Sequence, residues 1–306
     1  MRLLRITDSG LTEADGPQPQ PGPGEVLIRV FAAGVTPTEL AWYPTSHTKD
    51  GSSRQNAVPA HEFSGVIAGA GPGTTNFRLG EEVFGMNDWF ADGAMAEYCV
   101  APVTAIARKP SRLTHAEAAS VPIGALTAWQ GLYDLAGLRA GERVLVHGGA
   151  GAVGVFAVQL ARLRGAHVIA TASARNADFV TSLGAEIVFD SRTETIENGA
   201  RDVDVVFDTV GGETLQQSWN VLKPQGRMVT IAAAGEAASE ERVKKAFFIV
   251  VPDRNQLMEV ASLLQAGKLR TVVDSVVPLS SASKAYAGKI DRRGCGKVVV
   301  VIKEEA

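Results

Sequence analysis

RVLVHGGAGAVG, residues 143–154, runs directly into VFAVQLARLRG, and its reading decides the fold. Val144, Leu145 and Val146 form a short, continuously apolar run, as a parallel strand buried on both faces requires. Gly149, Gly151 and Gly154 follow in G-x-G-x-x-G order. From Ala152 to Arg164 the apolar residues recur at helical spacing, with arginines in the last turn and Gly165 as a stop. The first glycine allows a tight turn, the second lets backbone approach a pyrophosphate, and the third lets helix pack close to strand. The helix N-terminus then offers N–H groups and a partial positive charge to phosphates. A glycine-rich turn that binds nothing is the alternative. Strand before and helix after weigh against it, so Gly149 to Gly154, with Ala150, Ala152 and Val153 between, are read as a dinucleotide-binding loop.

The next strand bears on which dinucleotide. His167 to Ala172 (HVIATA) is the second strand, where an NAD site places Asp or Glu to accept from the ribose 2′-OH. Here the chain continues Ala172, Ser173, Ala174, Arg175, Asn176, with no carboxylate. A small hydroxyl followed by a guanidinium fork suits a 2′-phosphate. Arg192, in the DSR turn after the third strand, is a second candidate for that phosphate. The competing reading has Arg175 merely opening the next helix in solvent. The expectation is NADPH in preference to NADH.

At 306 residues the chain has room for two domains. Its 45% hydrophobic and 21% charged content is ordinary for a globular protein. A net charge of −3 without a basic run argues against nucleic acid or an anionic membrane as partner. The start, MRLLRITDSG, lacks a signal-peptide core, and no apolar run approaches membrane-spanning length. Cys99 and Cys295 are too few and too isolated for a disulfide framework or a zinc knuckle. A cytoplasmic location is expected.

Taken in order, the first 115 or so residues have β character. A Pro/Gly-rich connector, Glu13 to Glu25, leads to a strand from Val26 to Ala32 and a turn entering a short helix at Gly34 to Leu40. Further strands are read over 58–70, 82–86, 93–101 and 105–109, with Gly and Pro at the corners. Such punctuation suggests a partly closed β domain. At Thr114 the character changes, with Glu117 three residues on completing a capping box. Strand and helix then alternate: 143–147, helix 152–164, 167–172, helix 174–183, 186–189, 203–207, helix 212–222, 227–231, and the segment 246–251. That alternation specifies a parallel sheet covered on both faces. An amphipathic helix at 253–266 and the apolar strand 297–302 close the chain and return to the first domain.

These residues resemble the zinc-independent branch of the medium-chain dehydrogenase/reductase superfamily, near the NADPH:quinone oxidoreductases. The markers are PGPGEVLIRVFAAGV at 21–35, PAHEFSGVI at 59–67, GAMAEY at 93–98, GALTAWQGL at 124–132, the glycine motif and GKVVV at 296–300. The resemblance implies an α/β fold: a Rossmann doubly wound parallel sheet at 116–252, and a GroES-like β-barrel-type catalytic domain from 1–115 and 253–306. It also implies a homodimer. In the zinc branch, ligands come from positions that match Thr36, His61 and Gly124 here, so only His61 survives and no metal is expected. Without a metal, the fitting chemistry is hydride transfer to a quinone or an activated C=C bond, whose negative charge delocalises onto an oxygen already present. The implied partner is therefore a small-molecule electrophile. The resemblance puts Thr127 beside the nicotinamide and Thr36 where quinone reductases carry Asn. Thr36 and Tyr43 are the candidate substrate contacts, and Trp42, Trp89 and Phe90 are candidate pocket walls. Val210, Ile231, Phe248 and Lys297 are further candidate cofactor contacts. Two other functions stay open at this point: an enoyl-thioester reductase, for which Lys49 and Arg54 would supply a basic rim, and a low-turnover NADPH-binding protein.

Overall fold

The computed structural model describes residues 1–7, 10–196, 199–232 and 239–304. The chain starts with a hairpin of β1 (Arg2–Thr7) and β2 (Gly10–Asp15), paired antiparallel. Then come β3 (Glu25–Gly34), β4 (Glu62–Ala70), β5 (Glu82–Met86), β6 (Tyr98–Pro102) and β7 (Ile106–Arg108). A parallel series follows: β8 (Arg143–Val146), β9 (His167–Ala172), β10 (Ile187–Asp190), β11 (Val203–Asp208) and β12 (Leu222–Thr230). Last are β13 (Val273–Pro278) and β14 (Lys297–Val301).

Contacts divide the chain into two units, one of residues 1–123, 251–293 and 297–306, the other of residues 124–250 and 294–296. In the first, β13, β14, β3, β4, β5 and β7 are neighbours in that order, and β6 pairs with β3. The register β14–β3–β4 is antiparallel, which brings the C-terminal GKVVV strand against the first long strand. Ile28, Phe63, Phe84, Met86, Met95 and Ile106 are fully buried there. Each such side chain contributes about 1.5–3 kcal/mol.

The second unit has strand order β10-β9-β8-β11-β12, all parallel. This order places the sheet's reversal point between β8 and β11, where a crevice forms at the carboxyl ends of the strands. Val144, Leu145, Val146, Val205, Val206 and Phe207 have no exposed surface, as strands covered on both faces require. The helix Gly154–Leu163 covers β8 and β9. In the first unit, Thr114 caps the helix His115–Ala119 with its hydroxyl on the Glu117 N–H, and Glu117 returns the bond, so the capping box is present.

Several expectations differ from the structure. The strand read over 58–70 begins only at Glu62, because Ala60 is left-handed (φ 71°), a conformation non-glycine residues seldom adopt. The strand read over 93–101 is confined to Tyr98–Pro102. Its first half instead crosses Val58–Ala60, with Gly93, Ala94 and Met95 donating to that segment. The helix read over 212–222 stops at Ser218, and β12 starts at Leu222, five residues before the expected strand. The tetrapeptide Lys223-Pro224-Gln225-Gly226 is passed over in the β11–β12 register, and Lys223 pairs with Asp204 at 2.6 Å. Residues 246–251 supply no strand, only the bridge Thr230–Phe247. No helix among the described residues is long and apolar enough to cross a membrane.

Candidate active site

The glycine loop follows β8 and is held from three sides. His147, wholly buried, hydrogen-bonds Ser218 Oγ through Nε2 at 2.7 Å and Thr171 Oγ1 through Nδ1 at 3.2 Å. Ser218 donates its own proton to the Thr214 carbonyl, so it accepts from His147, and the imidazole is the neutral Nε2–H tautomer. Burial drives the His147 pKa down to about 4, which keeps the ring neutral. Thr171 Oγ1 thus donates to Nδ1 and accepts from the Gly148 N–H at 3.2 Å, tying the loop to β9.

Gly148, not Gly149, carries the turn, with φ at +70° and Thr209 Oγ1 2.6 Å from where a Cβ would stand. Gly149 packs instead, its Cβ position lying 3.0 Å from Val180 and 3.1 Å from Ala170. At Gly154 a Cβ would lie 2.1 Å from the Gly148 carbonyl oxygen, so this glycine lets helix and loop approach. Gly151 differs from both. Only Gly148 O, at 3.2 Å, is near its Cβ position, and its outer side is open.

That open side faces a trough of about 380 Å³ lined by His147, Gly148, Ala150, Gly151, Thr171, Ala172, Ser173, Ser191, Glu194, Ile196, Thr209, Val210, Thr214, Gln217 and Gly294. One rim is ordered by buried Asp208, whose carboxylate accepts from the N–H groups of Val210 and Gly211 and from the Thr230 hydroxyl. The other is Gly294–Gly296: Gly296 donates to the Ala150 carbonyl at 2.8 Å, and Asn176 Nδ2 to the Gly294 carbonyl at 2.9 Å. Backbone N–H groups, small residues and open volume at a helix N-terminus fit a dinucleotide pyrophosphate.

Of the expected cofactor contacts, Ala150, Gly151, Ser173 and Val210 line this trough. Arg175 is exposed, with its guanidinium against Gly294, and Arg192 is exposed on the turn after β10. Ala152 and Val153 are half-buried at the start of the helix. Ile231 directly follows β12, Thr127 is buried in the helix Pro122–Trp129, and Phe248 packs edge-on to Phe207. Glu194, Thr214, Gln217 and Gly294 were missed. The glycines flanking Cys295 were the one sequence signal for the last of these.

In the first unit, Lys297 is buried and pairs with Glu62, and its Nζ donates to Thr36 Oγ1 at 3.0 Å. His61 is spent on Glu39, Nδ1 to Oε2 at 2.6 Å, and Tyr286 donates to the same carboxylate at 2.5 Å. Burial and the Glu39 charge raise the Tyr286 pKa well above the phenol range. Tyr43 is exposed and stacked on His47, 4.2 Å between ring centroids. Trp42 meets Trp89 edge to face. Lys49 and Arg54 pair with Asp88 and Asp92, each at 2.7 Å. Among the described residues, no group of three or more His, Cys, Asp or Glu could hold a metal ion.

A parallel sheet with a glycine loop and a trough at its reversal point, joined in one chain to a mostly antiparallel β unit, defines a two-domain, nucleotide-dependent dehydrogenase or reductase. Residues 22–111 match the family described as alcohol dehydrogenase GroES-like domain, and 183–300 the family described as zinc-binding dehydrogenase. A probable zinc-binding mitochondrial oxidoreductase of Arthroderma benhamiae is 35% identical over 93% of this chain and 92% of its own. A chloroplast envelope quinone oxidoreductase homolog of Arabidopsis thaliana is 32% identical over 95% and 94%. The quinone oxidoreductase structure from Coxiella burnetii superposes with a TM-score of 0.88 at 29% identity, covering 99% of both chains. The chain belongs to the medium-chain dehydrogenase/reductase superfamily, among its quinone-oxidoreductase-like members.

Proposed function

We propose that the protein is an NADPH-dependent reductase that delivers hydride to a quinone or to the activated C=C bond of an enone or alkenal, without zinc. The observation that carries the reading is the open face of Gly151 on the trough. There the loop N–H groups and the helix N-terminus hold the pyrophosphate, Ser173 and Arg175 take the 2′-phosphate, and Thr127 flanks the nicotinamide. Bound NADPH supplies a hydride from nicotinamide C4. The chain's part is to orient that carbon and the substrate, with Thr36 and Tyr43 as substrate contacts.

Three features support zinc independence. Thr36 and Glu62 are both engaged by the Lys297 ammonium. His61 is committed to Glu39. A side chain on Gly124 would lie 2.5 Å from the Ala152 carbonyl oxygen, so a cysteine ligand has no room there. Lys49 and Arg54, the basic rim a thioester reductase would use, are paired with Asp88 and Asp92, and the enoyl-thioester reductase stays as the alternative reading because an enoyl reductase shares this fold.

The test is NADPH oxidation by the purified, chelator-treated chain against 1,4-benzoquinone, an alkenal, 2-cyclohexenone and an enoyl-CoA. Turnover of the quinone or enone, undiminished by chelation, is expected. Turnover confined to the enoyl-CoA, or activity that needs added zinc, would overturn the reading.

A further inference from the structure

Thr36 precedes the 3-10 turn Pro37–Ala41, yet its side chain makes no capping bond there. Instead its Oγ1 accepts from Lys297 Nζ at 3.0 Å. An ammonium has only donors, so this bond consumes a lone pair of the hydroxyl and leaves its single proton to point elsewhere. No described residue takes that proton, and Thr36 is half-buried rather than enclosed.

The ammonium itself is held from behind. Glu62, with no exposed surface, pairs with Lys297 through one oxygen and accepts the Ile123 N–H through the other at 2.9 Å. Room for this carboxylate depends on Gly34, where a Cβ would stand 2.5 Å from Glu62 Oε1. Burying both ions is costly, and apolar residues of similar volume often stabilise a fold as well or better. Adhesion of β14 to β3 alone is thus a poor account of the pair.

We propose that Lys297, fixed by Glu62, polarises the Thr36 hydroxyl, and that Thr36 donates to the carbonyl oxygen of the enone or quinone on which negative charge gathers. This rests on the reductase reading above. With an enone, the hydride's electron pair forms the new C–H bond at the β-carbon. The C=C π pair moves towards the carbonyl, whose oxygen becomes the enolate oxygen. NADPH is left as NADP⁺, and a solvent proton completes the product at the α-carbon. A donor aimed at that oxygen acts most strongly when its charge is greatest, which is what speeds the step. Thr36 touches substrate; Lys297 and Glu62 are positioning residues.

The experiment is steady-state kinetics with 2-cyclohexenone and 1,4-benzoquinone, alongside NADPH titration by fluorescence. Thr36→Val is expected to lower kcat/KM for the enone about ten- to hundredfold, as loss of a charge-assisted hydrogen bond does, while Thr36→Ser stays within roughly threefold of the parent. NADPH affinity should be unchanged in both. Lys297→Met, and Lys297→Met with Glu62→Gln so that no buried charge is left unpaired, should reproduce the Thr36→Val loss. Adding Thr36→Val to that pair should cost little more, because the residues act as one unit. Thr36→Val at parental kcat/KM, or losses that multiply, would overturn the proposal while leaving the reductase reading intact. A parent that binds NADPH but reduces neither compound would overturn both.

Discussion

Ala172 closes β9 beside Asp190 of β10, its partner in register. That carboxylate is occupied, since Asp190 accepts from the Arg192 N–H at 3.1 Å and the Thr193 hydroxyl at 3.0 Å and so organises its own turn. Glu194, on the trough wall, opposes a 2′-phosphate; Arg175, held beside Gly294, favours one. Arg175→Ala should therefore weaken NADPH about ten- to hundredfold, the value of a lost charge-assisted bond, and leave NADH nearly unchanged. Ala172→Asp should shift preference towards NADH by placing a carboxylate at the ribose. Equal losses of both cofactors in Arg175→Ala would make that arginine a structural brace for Gly294.

At the scale of the element, the strand–loop–helix unit divides its labour among four glycines. Gly148 turns, Gly149 and Gly154 pack, and Gly151 stays open. Gly151→Val should accordingly fold and melt like the parent yet lose NADPH binding, because its side chain would fill the space proposed for the pyrophosphate. Gly154→Val drives a side chain into the Gly148 backbone and should cost at least about 1–3 kcal/mol of stability, as overpacking does. Thermal melts with fluorescence titration separate the two. NADPH bound to Gly151→Val within a few-fold of the parent would move the phosphates off this loop.

For the whole molecule, ligand linkage offers a check independent of turnover. A ligand that binds only the folded chain stabilises it by about 2.7 kcal/mol at 100 times Kd. NADPH should raise the melting midpoint by several degrees, and EDTA should leave it where it was. A midpoint lowered by EDTA and restored by zinc would show a resident metal and contradict the roles given to Lys297 and Gly124.

The nucleotide unit was legible in the sequence because its signals are local. An apolar run, glycines at fixed offsets and a helical period over 143–165 each report the backbone of their own neighbourhood. The same holds for the Thr114 capping box. What misled was equally local. The apolar residues at 58–60 look like strand, and only the tertiary contact of the Ala60 N–H with Glu39 at 3.0 Å shows how its left-handed backbone is held. Lys297 and Thr36 lie 261 residues apart and meet because β14 pairs with β3. No period or spacing encodes that meeting. Sequence alone determined the nucleotide loop and the alternation of strand and helix. Tertiary structure decided which charge faces which hydroxyl, because strand pairing brings distant residues together and burial then makes their electrostatics count.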